Sequence, residues 1–268
     1  LPGAVRCLTA SDSTVWAGGD GVSRSDDGGR TWAPAGLDDH PVRALAVDGE
    51  RLYAGVKPAA VWVDDGTGWR PLAPFPRLRS WWWWSPAERP HDAYVLGLAV
   101  EGDVVLAGIE AGALLRSDDG GRSWSGHCRG ASRDCHQLGF AADVAYEVGG
   151  AKGLALSRDA GRTWRSTGEG LRGRYGWSAA VRGEDVFLTT ARMLTAHGSD
   201  AQACIYRGDG ERPWTRVLGP LSALPRLAAG DEGVYAAWSG ALHTTSDGAA
   251  WSPLRDDLPG PARALLVL

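Results

Sequence analysis

The sequence predicts an all-β fold in which one small antiparallel sheet is repeated around an axis. Three observations predict it: a short motif that recurs along the chain, brief apolar segments between its copies, and no stretch of helical periodicity. The motif Ser25-Asp26-Asp27-Gly28-Gly29-Arg30-Thr31-Trp32 returns as Ser117-Asp118-Asp119-Gly120-Gly121-Arg122-Ser123-Trp124 and as Ser157-Arg158-Asp159-Ala160-Gly161-Arg162-Thr163-Trp164. Weaker copies end at Trp69, Trp214 and Trp251, so that successive motif tryptophans stand 37 to 55 residues apart. A period of about 40–45 residues with a terminal Trp is that of β-propeller blades. Six motifs imply six blades in a single domain over residues 1–268.

The elements follow in order. Upstream of each motif lie short runs rich in Val, Leu and Ala, bounded by Gly, Asp or Pro, such as Val42-Arg43-Ala44-Leu45-Ala46-Val47, Arg51-Leu52-Tyr53-Ala54-Gly55 and Ala60-Val61-Trp62-Val63. This is strand and turn punctuation. Each unit thus supplies four antiparallel strands, an inner A, then B and C, and an outer D beside the Trp. One such sheet cannot bury both its faces alone, so the units must stack. The first blade runs from Val5 to Trp32, yet Ala262-Arg263-Ala264-Leu265-Leu266-Val267 has the text of a further inner strand. Seven blades, the last one partial, is therefore the alternative count.

The Ser-x-Asp-x-Gly-x-Thr-Trp pattern resembles the Asp-box, or BNR, repeat shared by sialidases, xyloglucan hydrolases, sortilin-type receptors and photosystem II assembly factors. The inner-strand text Val-Arg-Ala-Leu-Ala-Val is closer to the assembly-factor and xyloglucanase branches. The resemblance covers nearly the whole chain and implies a propeller, but a fold that hosts hydrolases, receptors and scaffolds does not name an activity. It also implies that the boxes are structural C–D turns, with the Asp capping turn amides and the Trp packing between blades. Asp27, Asp119 and Asp159 are accordingly left out of the expected site. The Arg-Ile-Pro segment of sialidases is missing, and no sialidase residue is carried over.

Strand order sorts the loops. If the C–D turns share one face with the short A–B turns, then the D–A connections and B–C turns share the other. The long irregular segments 71–93, 125–136, 166–176 and 191–203 all fall on that second face, where function is expected to concentrate. It carries five of the six histidines, His40, His91, His127, His136 and His197. The expected catalytic set is His40, His91, His136, Asp39, Asp92 and Tyr175, because imidazole beside carboxylate suits acid–base work near neutral pH. Arg6, Arg43, Arg226 and Arg263 hold the same early position in their inner strands, which line the channel, and guanidinium forks there suit a carboxylate or phosphate. Arg43, Arg174, Arg226 and Arg263 with Trp82, Trp84, Trp177 and Trp238 form the expected ligand-binding set. The four-tryptophan run Trp81-Trp82-Trp83-Trp84 must show some indole surface if extended, since side chains alternate.

His127-Cys128 and Cys135-His136 mirror each other. Three readings stay open: a Cys128–Cys135 disulfide, free thiols, or a zinc or copper site. The metal set is His127, His136 and His91, around a divalent ion; no other cofactor is legible. Cys7 and Cys204 fit buried strands.

With 28 basic and 32 acidic residues spread along the chain and a net charge of −4, no basic block marks a nucleic-acid surface. No apolar run approaches the ~18–20 residues of a membrane span, and no signal-like segment opens the chain. A secreted or periplasmic location is favoured over a cytoplasmic one, and a monomer is expected. Phosphate loops, dinucleotide fingerprints and H-E-x-x-H are absent from the sequence. Two functions remain: a binding propeller for an anionic, aromatic or sugar-bearing small molecule, glycan or peptide client, or an enzyme, either a glycoside hydrolase or lyase or a His-dependent metalloenzyme, using the same face.

Overall fold

The computed structural model describes residues 3–76, 93–193, 195–196, 198 and 200–268. Six antiparallel sheets follow one another along the chain, each made by consecutive hairpins, and no helix occurs among the described residues. The first is β1 (Cys7–Ser11), β2 (Thr14–Gly19), β3 (Gly21–Ser25) and β4 (Ala33–Pro34); the second is β5 (Val42–Asp48), β6 (Arg51–Val56), β7 (Ala60–Asp64) and β8 (Arg70–Pro71). The third comprises β9 (Val95–Glu101), β10 (Val104–Ile109) and β11 (Leu114–Ser117). The fourth is β12 (Cys135–Ala141), β13 (Val144–Gly149), β14 (Gly153–Ser157) and β15 (Arg165–Thr167). The fifth is β16 (Tyr175–Arg182), β17 (Asp185–Ala191), β18 (Ala203–Gly208) and β19 (Thr215–Leu221), and the sixth is β20 (Arg226–Gly230), β21 (Gly233–Trp238), β22 (Ala241–Thr245) and β23 (Ser252–Arg255). They form a six-bladed β-propeller. In the third blade the fourth-strand place is taken by residues 124–128, where Ser125 N donates to Arg116 O at 2.7 Å and Cys128 N to Leu114 O at 2.9 Å. There the His127 ring accepts the Leu114 amide at 3.2 Å, so a side chain stands in for a ladder carbonyl and no regular strand forms.

The boxes close the turns between the third and fourth strands. In the first copy Gly29 N donates to Ser25 Oγ at 2.8 Å, Thr31 N to Asp27 Oδ1 at 2.8 Å, and Thr31 Oγ1 to Asp27 Oδ2 at 2.6 Å. Ser117, Asp119, Gly121 and Ser123 repeat the pattern, as do Ser157, Asp159, Gly161 and Thr163. These bonds from the Thr31 hydroxyl and amide and from Ser25 hold the Asp27 carboxyl well below the usual range. Each oxygen is committed to its own turn, which agrees with a structural role.

Burial lies between blades rather than within them. Trp69, Trp124, Trp164, Trp214 and Trp251 each join the apolar cluster shared with the preceding blade. Three indoles also donate across that boundary: Trp69 to Ala35 O at 2.7 Å, Trp124 to Ala73 O at 3.0 Å and Trp214 to Thr167 O at 2.9 Å. Nearer the axis the approach is closer. The Cys135 side chain of β12 occupies the space where a Cβ on Gly108 of β10 would sit, and Val95 of β9 meets Gly55 of β6 in the same way. Small second-strand residues thus let each inner strand press against the blade before it.

The segment 262–267, expected as an inner strand, has no strand pairing. It still serves as channel wall. Arg263, Ala264 and Leu265 line the central cavity together with Arg6, Cys7 and Leu8 of the first blade and Arg226 and Leu227 of the sixth. Val267 presses on Gly230 of β20, and Leu268 reaches the turn at Gly28. The segment fills the space between the last inner strand and the first without a sheet of its own to complete.

The interblade indoles set a measurable stability. Trp164 is 7% exposed, and replacing it with Ala is expected to cost about 3–5 kcal/mol in urea unfolding. Trp164→Phe should retain most of that. A loss below about 1 kcal/mol in the alanine variant would mean that the box Trp does not carry the interface.

Candidate functional site

Two neighbouring features occupy the face opposite the boxes: an arginine-lined channel and, at its wall, a histidine between two carboxylates. The channel cavity has a volume of about 200 Å³ and is bounded by Arg6, Arg43, Arg226 and Arg263, with His136 and Ser178 among its other walls. The shared early position of these arginines therefore brings them to one cavity. Their settings differ. Arg6 pairs with Asp20 at 3.6 Å. The Arg43 guanidinium lies 4.9 Å from the Tyr94 ring centroid, which Lys57 Nζ approaches to 5.9 Å. Arg226 lies 4.3 Å from the Trp177 ring centroid, and its Nε is buried with no hydrogen-bond partner among the described residues. Desolvation lowers the Arg226 pKa to about 10, and the group stays cationic at neutral pH. Burial pushes the nearby Cys7 thiol up to about 12, despite the opposing pull of Arg226, Arg6 and Arg43.

His136 is the second residue of β12, and its side chain is 1% exposed. Its Nδ1 lies 2.6 Å from Gly176 O, so that nitrogen carries a proton and donates it. Nε2 then faces Tyr175 Oη at 3.5 Å, Asp134 Oδ1 at 3.6 Å and Glu110 Oε2 at 3.9 Å. Tyr175 and Trp177, from the start of β16, pack against the imidazole with ring centroids at 5.0 and 5.2 Å. Burial alone would lower the His136 pKa, but Asp134 and Glu110 overcome it and raise the value. The same two carboxylates, after burial itself, push the Tyr175 phenol above its ordinary range.

The chain positions this group from three directions. Glu110 sits in the turn after β10, where its amide donates to Tyr94 O at 3.1 Å. Asp134 ends the loop before β12; its Oδ1 accepts the Ala111 amide at 3.2 Å, and its carbonyl accepts Gly150 N at 2.8 Å. Only Gly at position 150 leaves room for the Asp134 carboxylate. The loop itself is clamped from beneath. Glu147 Oε2 accepts Ser132 N at 2.7 Å, and Lys152 Nζ donates to Gly130 O at 2.6 Å and Ala131 O at 3.0 Å.

The other expected site residues lie elsewhere. His40 packs edge-on against Trp62, with ring centroids 4.8 Å apart, and Asp39 is exposed beside it. His127 is committed to the Leu114 amide, and burial with Arg133 and Lys152 lowers its pKa to about 4. Among the described residues the one group of three or more possible metal ligands combines His136 with Glu110 and Asp134, and His127 is not in it. Arg174 lies over Gly168 and lines an outer recess with Arg165, Glu169 and Trp214, away from the channel. Trp238 is buried among the residues between the fifth and sixth blades, where it packs against His243 with the rings tilted at 42°. Trp82, Trp84, His91, Asp92 and His197 lie outside the described residues. The four cysteines are free thiols, and Cys128 and Cys135 both belong to the core between the third and fourth blades.

Glu110 and Glu147 were missed by sequence reasoning. Glu110 follows a B strand, the place where a B–C turn on this face was expected, and that signal could have found it. Nothing in the local text marks Glu147, whose importance comes from the loop folded over it. A wider cleft, of about 830 Å³, opens on the box-bearing face between the fourth and fifth blades and is lined by Ala142, Tyr146, Glu184 and Asp209 among others. Among the described residues, none of those expected as ligand-binding, catalytic or metal-holding lines it.

No protein-family model matches the chain, and no curated protein matches it by sequence. Solved structures do match in fold. "YCF48 bound to D1 peptide" superposes with a TM-score of 0.66 at 17% identity, covering 93% of this chain and 82% of that one. YCF48 from Cyanidioschyzon merolae gives 0.68 at 13% identity over 94% of this chain and 86% of that one. The GH74 xyloglucanase from Xanthomonas campestris gives 0.68 at 20% identity, over 93% of this chain but just 45% of the enzyme. At such identities the likeness concerns the propeller alone.

Glu147 makes the site's support pH-dependent. Its carboxyl is buried, and desolvation raises its pKa from 4.5 to about 8. Because the folded value is raised, its contribution to stability is complete below the unfolded value and is lost as pH rises through the folded one. Glu147→Gln should match the parent in melting temperature near pH 5 and exceed it at about pH 9, by a difference on the order of a few kcal/mol. Parallel pH profiles for the two proteins would refute the assignment.

Proposed function

We propose that the protein is a binding propeller whose channel mouth, on the face opposite the boxes, holds an anionic group of a peptide client. One observation carries the reading. Arg226 presents a half-buried cationic fork whose Nε is buried with no hydrogen-bond partner among the described residues, held against Trp177 and facing the same cavity as Arg6, Arg43 and Arg263. A buried guanidinium nitrogen is costly without a hydrogen-bonding partner, and the planar fork suits a carboxylate. Trp177, half-buried beside Arg226, adds flat, partly apolar surface for the neighbouring part of the ligand. A peptide is named with one YCF48 structure of the same fold, which is consistent with a peptide as the client class.

The enzyme alternative has less support. As a nucleophile Tyr175 would need a lowered pKa, whereas burial and the two carboxylates raise it. Of the expected catalytic set, His40 and His136 do not form one constellation, since His40 packs against Trp62 of the second blade while His136 faces Tyr175.

The test is isothermal titration with short acidic peptides carrying a free or an amidated C-terminus. Arg226→Gln is expected to weaken binding at least tenfold, about 1.4 kcal/mol or more, and Arg43→Gln to act in the same direction. Arg174→Gln, outside the channel, should bind as the parent does. Equal affinity of the parent and the Arg226 variant for every acidic peptide would overturn the proposal.

A further inference from the structure

We infer that Glu110, Asp134 and His136 form a binding site for a divalent transition-metal ion, zinc being the best fit. The site is distinct from the arginine fork and does not depend on the peptide reading.

The donor set is mixed rather than merely acidic. It offers one imidazole nitrogen and two carboxylate oxygens, and these atoms all lie within 4.8 Å of one another. Nitrogen and oxygen donors in this combination suit zinc and its neighbours, whereas calcium or magnesium would ask for oxygen alone. The imidazole is set for ligation. Its Nδ1 proton is donated to Gly176 O at 2.6 Å, which leaves the Nε2 lone pair directed toward the carboxylates. A backbone carbonyl holding the far nitrogen is the usual outer support of a metal-bound histidine.

Spacing supports a tetrahedral ion. Ligand atoms about 2.0–2.2 Å from a tetrahedral centre stand about 3.3–3.6 Å from one another. His136 Nε2 is 3.6 Å from Asp134 Oδ1 and 3.9 Å from Glu110 Oε2. These separations are long for hydrogen bonds to nitrogen and near those of a shared ion. A shift of the Glu110 carboxylate toward the other two donors would complete the geometry; Glu110 sits in a surface turn and its side chain is 21% exposed. His136 is fixed in β12, and the Ala111 amide steadies Asp134.

The placement also separates this site from the metal set expected from sequence. His127 spends Nδ1 on the Leu114 amide and stands outside the ligand group. Cys128 and Cys135 point into the apolar core, where burial keeps their thiols protonated. The competing account is an imidazolium shared between two carboxylates with no metal at all. A bound dication would replace that proton and satisfy the same oxygens.

The experiment uses the whole chain purified without a histidine tag, stripped with EDTA and titrated with zinc chloride near neutral pH. Calorimetry is expected to show a single tight equivalent, and the His136 ring resonances should move on saturation. Glu110→Gln and Asp134→Asn should each weaken zinc binding at least tenfold, while His127→Ala should leave it unchanged. Because Asp134 also braces the Ala111 turn, Glu110→Gln is the more informative variant, and melting in EDTA checks that it folds. The His136 resonances of the parent decide the matter independently of any variant. Zinc that leaves them unmoved, or that binds the Glu110 and Asp134 variants as well as the parent, overturns the site.

Discussion

A small sheet with two apolar faces is the constraint from which the rest of this molecule follows. Each blade leaves both faces uncovered, and only a neighbouring blade can bury them. The box Trp meets that need at the outer rim, where Trp69, Trp124 and Trp214 reach back to bond the preceding blade. Glycine meets it near the axis, where Gly55 and Gly108 leave space for Val95 and Cys135. Removing bulk at one radius and adding it at another gives wedge-shaped units, and wedges close around an axis. In the three strongest copies the carboxylate of the box Asp bonds within its own turn. It fixes the turn from which the Trp departs.

The same geometry makes the channel unusual chemically. Inner strands that start with the same residue text bring the same residue type to one cavity, so four arginines from distant parts of the chain converge. Like charges gathered in this way repel, and the structure relieves them by different means: a carboxylate for Arg6, the Tyr94 ring for Arg43 and the Trp177 ring for Arg226. Beside them the carboxylates of Glu110 and Asp134 face His136. Opposite charges thus occupy adjoining parts of the wall, each organised around an aromatic or imidazole ring.

Support for this wall comes from residues with no place in the site itself. The loop leading to Asp134 is held by Glu147 and Lys152, both rooted in the fourth blade. Glu147 is buried at 1% exposure and bonds one backbone amide. Its carboxyl is therefore sensitive to protonation, because the surrounding core solvates the charged form poorly. A structural group of this kind changes a site by moving the loop that carries it.

The sequence by itself determined the repeat, the strand composition and the blade count, because these depend on periodicity and on turn chemistry that is local. It also determined that Arg6, Arg43, Arg226 and Arg263 share a position, since register within a repeat is a local property. Only the tertiary structure decided what meets what. His40, His127 and His136 share a face in the topology, yet each takes a different partner: Trp62 for His40, the Leu114 amide for His127, and Asp134 with Glu110 for His136. Trp238 packs on His243 of its own blade and Arg174 lies over Gly168 of its own loop, both away from the channel cavity. Glu110 entered the wall because the turn after β10 reaches the loop before β12. Segment 262–267 kept the text of an inner strand but found no sheet partner, since a strand exists through pairing and not through composition alone.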